Sequence, residues 1–120
     1  MKIFRDSGRL RKWSRQNRLK NRVVALVPTM GFLHEGHLSL IDTARKNGAD
    51  AIAVSIFVNP TQFGPNEDYD CYPRDFERDK ALCEGKDVDV IFAPAVNDMY
   101  AGDLTCWVQE EKISKGLCGL

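Results

Sequence analysis

The chain has 120 residues, a hydrophobic share of 43%, a charged share of 28% and no formal net charge. These values are typical of one soluble globular domain, large enough to bury a core but short for a complete two-substrate enzyme. No apolar run approaches the length of a membrane span and the first residues lack the apolar centre of a secretory signal, so we expect a cytoplasmic protein without a membrane partner.

The charge is unevenly distributed along the chain. Residues 1–22 hold nine of the 17 Lys and Arg and only one of the 17 Asp and Glu, so the remaining 98 residues carry a formal charge of −8. A basic leader of this kind suggests nucleic-acid binding or organelle targeting. The pattern favours a third interpretation, a solvated helix whose buried side holds Leu10, Trp13 and Asn17. The acidic remainder also argues against a nucleic-acid partner.

The four cysteines give no sign of a metal or redox site. Cys71, Cys83, Cys106 and Cys118 show no C-x-x-C spacing and have no histidine nearby. Zinc knuckles and redox pairs need such spacings, so neither is predicted. We expect reduced thiols, since disulfides are unusual in the cytoplasm.

Apolar and turn-forming residues predict alternating strands and helices. Short valine-rich runs indicate buried strands of a parallel sheet, and apolar residues three and four apart indicate helices. In chain order the predicted elements are a short edge strand at 3–4, a helix from Asp6 or Ser7 to about Asn17, a strand at 23–27 that Pro28 stops, a helix at 37–47 closed by Gly48, a strand at 51–58, a helix at 73–84, a strand at 88–92 and an edge strand at 105–109. Residues 111–120 then begin a helix-like segment.

Three strand–helix repeats predict an α/β fold, a Rossmann-like sheet whose strands at 23–27, 51–58 and 88–92 are all parallel. In the helix at 73–84, apolar spacing predicts that Phe76, Leu82 and Cys83 face inward. The charged residues of that helix are expected to face outward, namely Asp75, Glu77, Arg78, Asp79 and Lys80.

The loop after the first core strand contains both histidines of the chain, in the sequence His34-Glu35-Gly36-His37. A glycine-containing turn from a strand into a helix presents free backbone N–H groups and a partial positive charge, which suit a phosphate. Two imidazoles at i and i+3 can face the same side and donate to that anion, while Gly36 lets a ligand approach the backbone.

Two other interpretations of this loop stay open. The histidines could be ordinary turn and helix-start residues. They could also bind a metal, because imidazole is the commonest metal ligand among side chains. The spacing is not that of H-E-x-x-H, however, and a third ligand would have to come from Glu35 or a distant cysteine.

A second long loop, residues 59–72, follows the strand at 51–58. It leaves the carboxyl end of a strand, where ligands of open α/β sheets bind. The amide of Gln62 can donate and accept hydrogen bonds, which suits a small substrate with hydroxyl and carboxylate groups. A glutamine taken alone is more often a solvated surface residue. We expect His34 and His37 to lie beside Gln62 at the mouth of the sheet.

Several stretches resemble a known family. PTMGFLHEGHLSL, SIFVNPTQFGPNEDYDCYPR and DVIFAP together are similar to the N-terminal part of the pantoate–β-alanine ligases, or pantothenate synthetases. HEGH matches the HxGH signature of the class I nucleotidyltransferases related to aminoacyl-tRNA synthetases. The resemblance runs to about residue 116 and covers less than half of a typical member. It implies that residues 1–120 are the N-terminal portion of an incomplete Rossmann-like nucleotide-binding domain, without the later lysine- and serine-bearing loop and the C-terminal lid domain.

The activity that this resemblance implies is the ATP-dependent condensation of pantoate with β-alanine. Pantoate attacks the α-phosphorus of ATP to give pantoyl adenylate and pyrophosphate, and β-alanine then displaces AMP. Mg²⁺ is expected to accompany ATP, held mainly by phosphates and water. The resemblance also allows a homodimer. The alternative is a truncated, catalytically inert fragment that acts only as a structural or interaction module.

The resemblance also assigns roles to residues. His37 and His34 would be catalytic, with His37 as a proton donor whose ordinary pKa suits that role. ATP would bind at Met30, Gly31, Phe32, Leu33, His34, Glu35, Gly36 and His37. Pantoate and β-alanine would bind at Pro28, Thr29, Met30, Asn59 and Gln62.

Overall fold

The computed structural model describes residues 1–100, 102, 106 and 108–116. Strands and helices alternate along this part of the chain. The strands are β1 (Lys2–Phe4), β2 (Val24–Thr29), β3 (Ala51–Ile56) and β4 (Val90–Phe92), and the helices are α1 (Ser7–Leu19), α2 (Glu35–Lys46), α3 (Phe76–Gly85) and α4 (Val96–Met99). A short 3₁₀ turn at Pro60–Gln62 follows β3.

These strands form one sheet in the order β1-β4-β3-β2, and every pair in it is parallel. The predicted parallel α/β sheet is thereby confirmed, and the short edge strand joins it through β4. The register pairs Val27 with Val54 and Val54 with Ile91 across the middle of the sheet. Because parallel strands run the same way, the ends of β2, β3 and β4 meet at one edge, where ligand-binding loops are expected.

The core lies against the sheet and beneath the helices α2 and α3. Ile52, Val54 and Ile91 are at most 1% exposed, and Ile41 of α2 and Cys83 of α3 belong to the same cluster. Burying a large aliphatic side chain contributes about 1.5–3 kcal/mol. The apolar runs therefore fold as central strands, in which consecutive residues on both faces are covered.

β2 runs through Pro28 to Thr29, so the prediction that Pro28 stops this strand is wrong. The C=O of Thr29 accepts a hydrogen bond from the N–H of Phe57 at 3.0 Å, which shows that Thr29 faces β3. Its neighbour Pro28 then faces away from β3, because successive residues of a strand direct their backbone groups to opposite sides. The missing N–H of the proline therefore costs no hydrogen bond with β3.

Other boundaries shift by a few residues because side chains cap the helices. α2 begins at Glu35 rather than at 37, since His34 is its N-cap. α3 begins at Phe76 rather than at 73, since the carboxylate of Asp75 accepts from the N–H of Arg78 at 3.2 Å. β3 ends two residues before its predicted end, and β4 starts two residues after its predicted start. Helix α4 is absent from the sequence prediction.

The predicted edge strand at 105–109 is not found in those of its residues that the structure describes. Thr105 and Trp107 lie outside the described residues, and Cys106, Val108 and Gln109 are not in a strand. Residues 111–116 form a turn and no helix. Residues 117–120 again lie outside the part of the chain that the structure describes.

Helix α1 holds the basic segment with its charges in solvent. The carboxylate of Asp6 caps the helix by accepting from the N–H of Gly8 at 2.6 Å. Asn17 is 6% exposed and donates to the C=O of Trp13, which confirms its place on the buried side. The basic side chains within the helix are exposed, namely Arg9, Arg11, Lys12, Arg15 and Arg18. Among the described residues, neither α1 nor any other helix is long and apolar enough to cross a membrane.

Candidate functional site

The loop that carries the histidines begins directly after β2, and Thr29 fixes its start. The hydroxyl of Thr29 donates to the C=O of Ser55 on β3 at 2.8 Å and accepts from the N–H of Gly31 at 3.0 Å. Thr29 is only 9% exposed, so these bonds satisfy a largely buried hydroxyl. The loop therefore leaves the sheet in one fixed direction.

Gly31 and Phe32, which follow Met30 in this loop, adopt left-handed backbone conformations. Gly31 has a φ of +81° and Phe32 a φ of +50°. Glycine adopts such angles freely, whereas they cost other residues about 1–2 kcal/mol. The turn directs the N–H groups of Phe32 and Leu33 toward α3, where the buried carboxylate of Asp79 accepts both, at 2.8 and 2.7 Å.

Arg78, the neighbour of Asp79 on α3, contacts the same turn. Its guanidinium donates to the C=O of Leu33 at 2.9 Å and lies over the ring of Phe32, 5.3 Å from the ring centroid. It also lies 3.8 Å from the carboxylate of Asp79. The turn is thus held by a cation and an anion from consecutive residues of one helix.

Asp79 is predicted to face outward, but its side chain is only 1% exposed. A signal for this is present in the sequence, because Phe76, Asp79 and Cys83 are three and four residues apart and so share one stripe of a helix. An acid on an apolar stripe indicates a buried polar partner. Here that partner is the backbone of the histidine loop, so Asp79 is a site residue that sequence reasoning missed.

The two histidines cap α2 with their ring nitrogens. His34 is the N-cap residue, and its Nδ1 accepts from the N–H of Gly36 at 3.0 Å. In return, Nδ1 of His37 accepts from the N–H of His34 at 3.1 Å. A neutral imidazole carries one proton, so a ring whose Nδ1 accepts a hydrogen bond carries that proton on Nε2. Both rings therefore present an Nε2–H donor.

Gly36 is required by the ring of His34. A Cβ at position 36 would lie 2.7 Å from Cε1 and 2.9 Å from Nδ1 of His34, closer than such atoms approach in proteins. The ring centroids of His34 and His37 are 4.0 Å apart. Gly36 thus admits an imidazole of its own loop, rather than the ligand that the sequence led us to expect there.

Much of the loop backbone is already hydrogen-bonded. The N–H groups that donate within the protein are those of Gly31, Phe32, Leu33, His34 and Gly36. The prediction of free N–H groups for a phosphate is therefore wrong for these five residues. The Nε2–H groups of the two histidines remain available as donors at this end of α2.

The pKa of His37 lies below its ordinary value of 6.5. The largest cause is partial burial, which disfavours the charged ring, and the neighbouring imidazole of His34 acts in the same direction. The carboxylate of Asp79 opposes both effects. At neutral pH His37 is therefore an uncharged hydrogen-bond donor.

A cleft of about 700 Å³ opens at the carboxyl edge of the sheet. Its volume is within the usual range for small-ligand pockets, about 300–1,000 Å³. The loops that leave β2 and β3 meet over this cleft, as the topology predicts, and bring His37 and Gln62 to one cavity. The predicted site residues that line it are Pro28, Thr29, Met30, His37, Asn59 and Gln62.

The other predicted site residues do not line this cleft. Leu33 is 1% exposed in the core, and both its N–H and its C=O are bonded to side chains of α3. Phe32 is 46% exposed and covered on one face by the guanidinium of Arg78. The remaining members lie in the turn or at the exposed start of α2, namely Gly31, His34, Glu35 and Gly36.

Asn59 shapes the second loop. Its Oδ1 accepts from the N–H of Thr61 at 3.0 Å and from the hydroxyl of Tyr100 at 2.9 Å. These bonds cap the 3₁₀ turn that ends at Gln62. The amide of Gln62 is exposed and faces the cleft from the end of this turn. Asn59 therefore acts on the cleft by fixing the turn that carries Gln62.

A protein-held metal finds little support in this part of the molecule. The described residues contain no group of three or more His, Cys, Asp or Glu side chains placed to bind a metal ion. A structural zinc site takes four ligands, and the histidine pair supplies two. Cys71, Cys83 and Cys106 are free thiols.

The fold and the site together define a class. The chain is an HxGH-type, nucleotidyltransferase-like α/β protein, with a parallel sheet, a histidine-capped helix after a core strand, and a cleft at the carboxyl edge. The family model described as pantoate-beta-alanine ligase matches residues 2–120. The chain belongs to the pantoate–β-alanine ligase family.

Relatives in this family share much of the sequence. The pantothenate synthetase of Thermotoga petrophila is 56% identical over 119 residues, which make up 99% of this chain and 42% of that protein. The pantothenate synthetase of Acetivibrio thermocellus is 51% identical, with the same two shares. The chain thus spans about two fifths of the length of the curated relatives it matches.

Solved structures are similar over the same region. A pantothenate synthetase from Thermus thermophilus has a TM-score of 0.81 and 45% identity, covering 92% of this chain and 38% of that one. The pantoate-beta-alanine ligase from Francisella tularensis, solved in complex with beta-gamma ATP and beta-alanine, has a TM-score of 0.85 and 40% identity. This match covers 99% of the present chain and 45% of the other.

Proposed function

We propose that this chain provides the part of a pantoate–β-alanine ligase that binds ATP and pantoate. In the proposed reaction the carboxylate of pantoate attacks the α-phosphorus of ATP and pyrophosphate leaves. The amine of β-alanine then attacks the acyl carbon of pantoyl adenylate and AMP leaves. The observation that carries the proposal is that His37 and Gln62, from two different loops, line one cleft at the carboxyl edge of the sheet. The ligands of the Francisella tularensis relative, beta-gamma ATP and beta-alanine, are consistent with ATP and β-alanine as two of these substrates.

The histidine pair suits the phosphate groups of ATP. Because a substrate carboxylate is the nucleophile, the protein needs no serine or cysteine nucleophile, only groups that orient the reactants and stabilise charge on phosphate oxygens. The Nε2–H groups of His34 and His37 are such donors, and the N-terminus of α2 adds a partial positive charge. Because the pKa of His37 is lowered, its ring acts as a neutral hydrogen-bond donor rather than as a charged general acid.

The remaining cleft residues suit pantoate. The amide of Gln62 can donate to its carboxylate and accept from a hydroxyl, and β-alanine would enter beside it. Met30 and Phe57 give the same cleft an apolar wall for the two methyl groups of pantoate. Pro28, Thr29 and Asn59 complete this part of the site, in which the hydroxyl of Thr29 mainly holds the loop.

Mg²⁺ enters this proposal only as a companion of ATP. The carboxylate of Asp79 is engaged by two backbone N–H groups. The described residues also offer no cluster of acidic and histidine ligands. The residues that the structure describes therefore do not fit a protein-held Mg²⁺ site, and phosphate oxygens and water would be its ligands.

The proposal includes a cytoplasmic location and a homodimer, with no nucleic acid or membrane as partner. A cytoplasmic location suits a biosynthetic enzyme that consumes ATP. The basic side chains of α1 are spread over its exposed face rather than gathered at the cleft. Sedimentation of the purified protein would show whether it is a dimer.

A second candidate function is that of a catalytically inert structural or interaction module. The observation in its favour is that the chain spans 42% of the length of its relatives. More than half of each relative therefore has no counterpart among these residues. A cleft that is closed from one side excludes water poorly, which would leave ATP bound weakly and unreactive.

Pyrophosphate release from ATP, measured with and without pantoate, separates the two candidates. The ligase proposal predicts pantoate-dependent release, which His37→Ala lowers about 10²–10³-fold. Gln62→Ala should raise the KM for pantoate, while the control Gln16→Ala, on the exposed face of α1, should change nothing. ATP binding without release would support the second candidate. A protein that neither binds ATP nor releases pyrophosphate would refute the ligase proposal.

A further inference from the structure

The histidine loop is fastened to α3 by two adjacent side chains. The carboxylate of Asp79 accepts from the N–H groups of Phe32 and Leu33 at 2.8 and 2.7 Å, and Arg78 donates to the C=O of Leu33 at 2.9 Å. Asp79 lies 47 residues from Phe32 in sequence. These bonds are therefore tertiary contacts and not part of a local turn.

The chain is built closely around this carboxylate. A Cβ added to Gly31 would lie 3.2 Å from Oδ2 of Asp79 and 3.0 Å from Cγ2 of Ile56, and the φ of Gly31 is positive. Only glycine fits such a position without strain. Gly31 thus lets the loop approach Asp79 closely enough for both N–H groups to reach it.

The backbone turn at Phe32 is energetically unfavourable unless the N–H groups of Phe32 and Leu33 have a hydrogen-bond acceptor. Phe32 has a φ of +50°, which other residues than glycine rarely adopt. Successive N–H groups that converge in this way form a concave anion site. In many proteins such a site binds a phosphate, but here it is filled by the side chain of Asp79, which is 1% exposed.

We infer that Asp79 is a positioning residue for the histidine pair. His34 follows Leu33 directly, so fixing the N–H of Leu33 fixes where the backbone N–H of His34 lies. That N–H in turn holds Nδ1 of His37, whose ring lines the cleft. Asp79 is buried and does not line the cleft, so it acts through the loop: it sets the place of the two Nε2–H donors, and this role rests on the proposed ATP site. Its negative charge also opposes the lowering of the His37 pKa.

Asp79→Asn tests this role with little change in size. An asparagine has one oxygen acceptor and an NH₂ group, so one of the two backbone N–H groups would face a donor. Glu77→Gln is the matched control, since it makes the same chemical change on an exposed residue of α3. Arg78→Ala is a milder second variant, because this side chain is 47% exposed and contributes one bond to the turn.

Two readouts separate positioning from general stability. Amide hydrogen exchange should show that the protection of Phe32 and Leu33 falls at least about tenfold in Asp79→Asn, while that of Val54 in β3 is unchanged. ATP affinity, measured by calorimetric titration, should fall about tenfold in the same variant and less in Arg78→Ala. Glu77→Gln should match the wild type in both.

The outcomes distinguish this inference from the proposed function. Unchanged protection of Phe32 and Leu33, or a loosened turn with unchanged ATP affinity, would overturn the positioning role. If Asp79→Asn does not fold, Arg78→Ala provides the test. Wild-type amide protection and wild-type ATP affinity in Arg78→Ala would then overturn the positioning role. If the wild-type chain binds no ATP, the proposed function is refuted instead. The role of Asp79 in positioning a ligand site then falls with it. Amide hydrogen exchange would still report whether Asp79 holds the loop against α3.

Discussion

Nδ1 of His37 accepts the backbone N–H of His34 over 3.1 Å, and this bond ties the two imidazoles into a single arrangement. It requires an unprotonated Nδ1, since an imidazolium ring has no acceptor. The N-terminus of α2 and the donors beside the cleft therefore depend on the same neutral ring.

Acidification should weaken the fold through His37. Its pKa in the folded protein lies below 6.5, so between that pKa and 6.5 the unfolded state binds more protons than the folded state. The contribution of His37 to the free energy of unfolding is fully present above 6.5 and is lost as the pH falls toward the folded pKa. Urea unfolding at several values between about pH 5 and 8 measures it.

His37→Gln is the comparison for this titration, because glutamine keeps a polar side chain and does not titrate. The difference in unfolding free energy between wild type and variant should shrink as the pH falls below 6.5. A difference that stays constant over this range would show that the ring is not coupled to folding in the way its hydrogen bond implies.

Gly36→Ala should displace the ring of His34. The added Cβ would lie 2.7 Å from Cε1, so the ring must move and the N–H of Gly36 loses its acceptor. The lost cap costs about 0.5–2 kcal/mol, and alanine in a helix returns about 1 kcal/mol. Stability should therefore change little, whereas ATP affinity should fall about tenfold with the loss of one donor to a charged ligand.

Gly85→Ala is the control for this substitution. Its added Cβ has no neighbour within 4 Å, so it should leave ATP affinity at the wild-type value. Thermal unfolding and calorimetric titration of both variants give the comparison. Wild-type affinity in Gly36→Ala would argue against any part for the His34 ring in binding.

Thr29→Val should destabilise the protein by about 1–3 kcal/mol. Valine keeps the branched shape but leaves the N–H of Gly31 and the C=O of Ser55 without the hydroxyl that joins them. Thr43→Val, on an exposed position of α2, removes a hydroxyl that donates to the C=O of Ser39 and should cost under about 1 kcal/mol. Equal losses in denaturant unfolding would show that the start of the histidine loop is not specially held.

Cys83 should be the least reactive of the described thiols. It is fully buried, and burial together with the charge of Asp79 raises its pKa to about 11. The thiolate is the reactive form, so an alkylating reagent at about pH 8 should label the exposed Cys71 and Cys106 first. Timed labelling with mass spectrometry checks this, with urea-unfolded protein as the control. Fast labelling of Cys83 in the folded protein would contradict the burial of α3 against the sheet.

The sequence predicts those features that depend on local pattern. Apolar runs placed β2, β3 and β4 within about two residues, and the rule that ligands bind at the carboxyl edge brought His37 and Gln62 together. The contact between Asp79 and the loop escaped prediction because it joins segments 47 residues apart through side-chain and backbone groups, which no periodicity reports. β2 can continue through Pro28 because this residue faces the side of β2 that has no neighbouring strand. That side is known only once the order of the strands in the sheet is known.

The most direct test of the proposed site is the ¹H–¹⁵N spectrum of the two imidazoles, recorded with and without ATP. The hydrogen bonds at Nδ1 predict that the neutral form of each ring carries its proton on Nε2. Saturating ATP should then shift the Nε2 resonances of His34 and His37, and pantoate should shift the side-chain amide of Gln62. Protons on Nδ1, or imidazole resonances that ATP leaves unchanged, would contradict the assignment of this histidine pair to the phosphates.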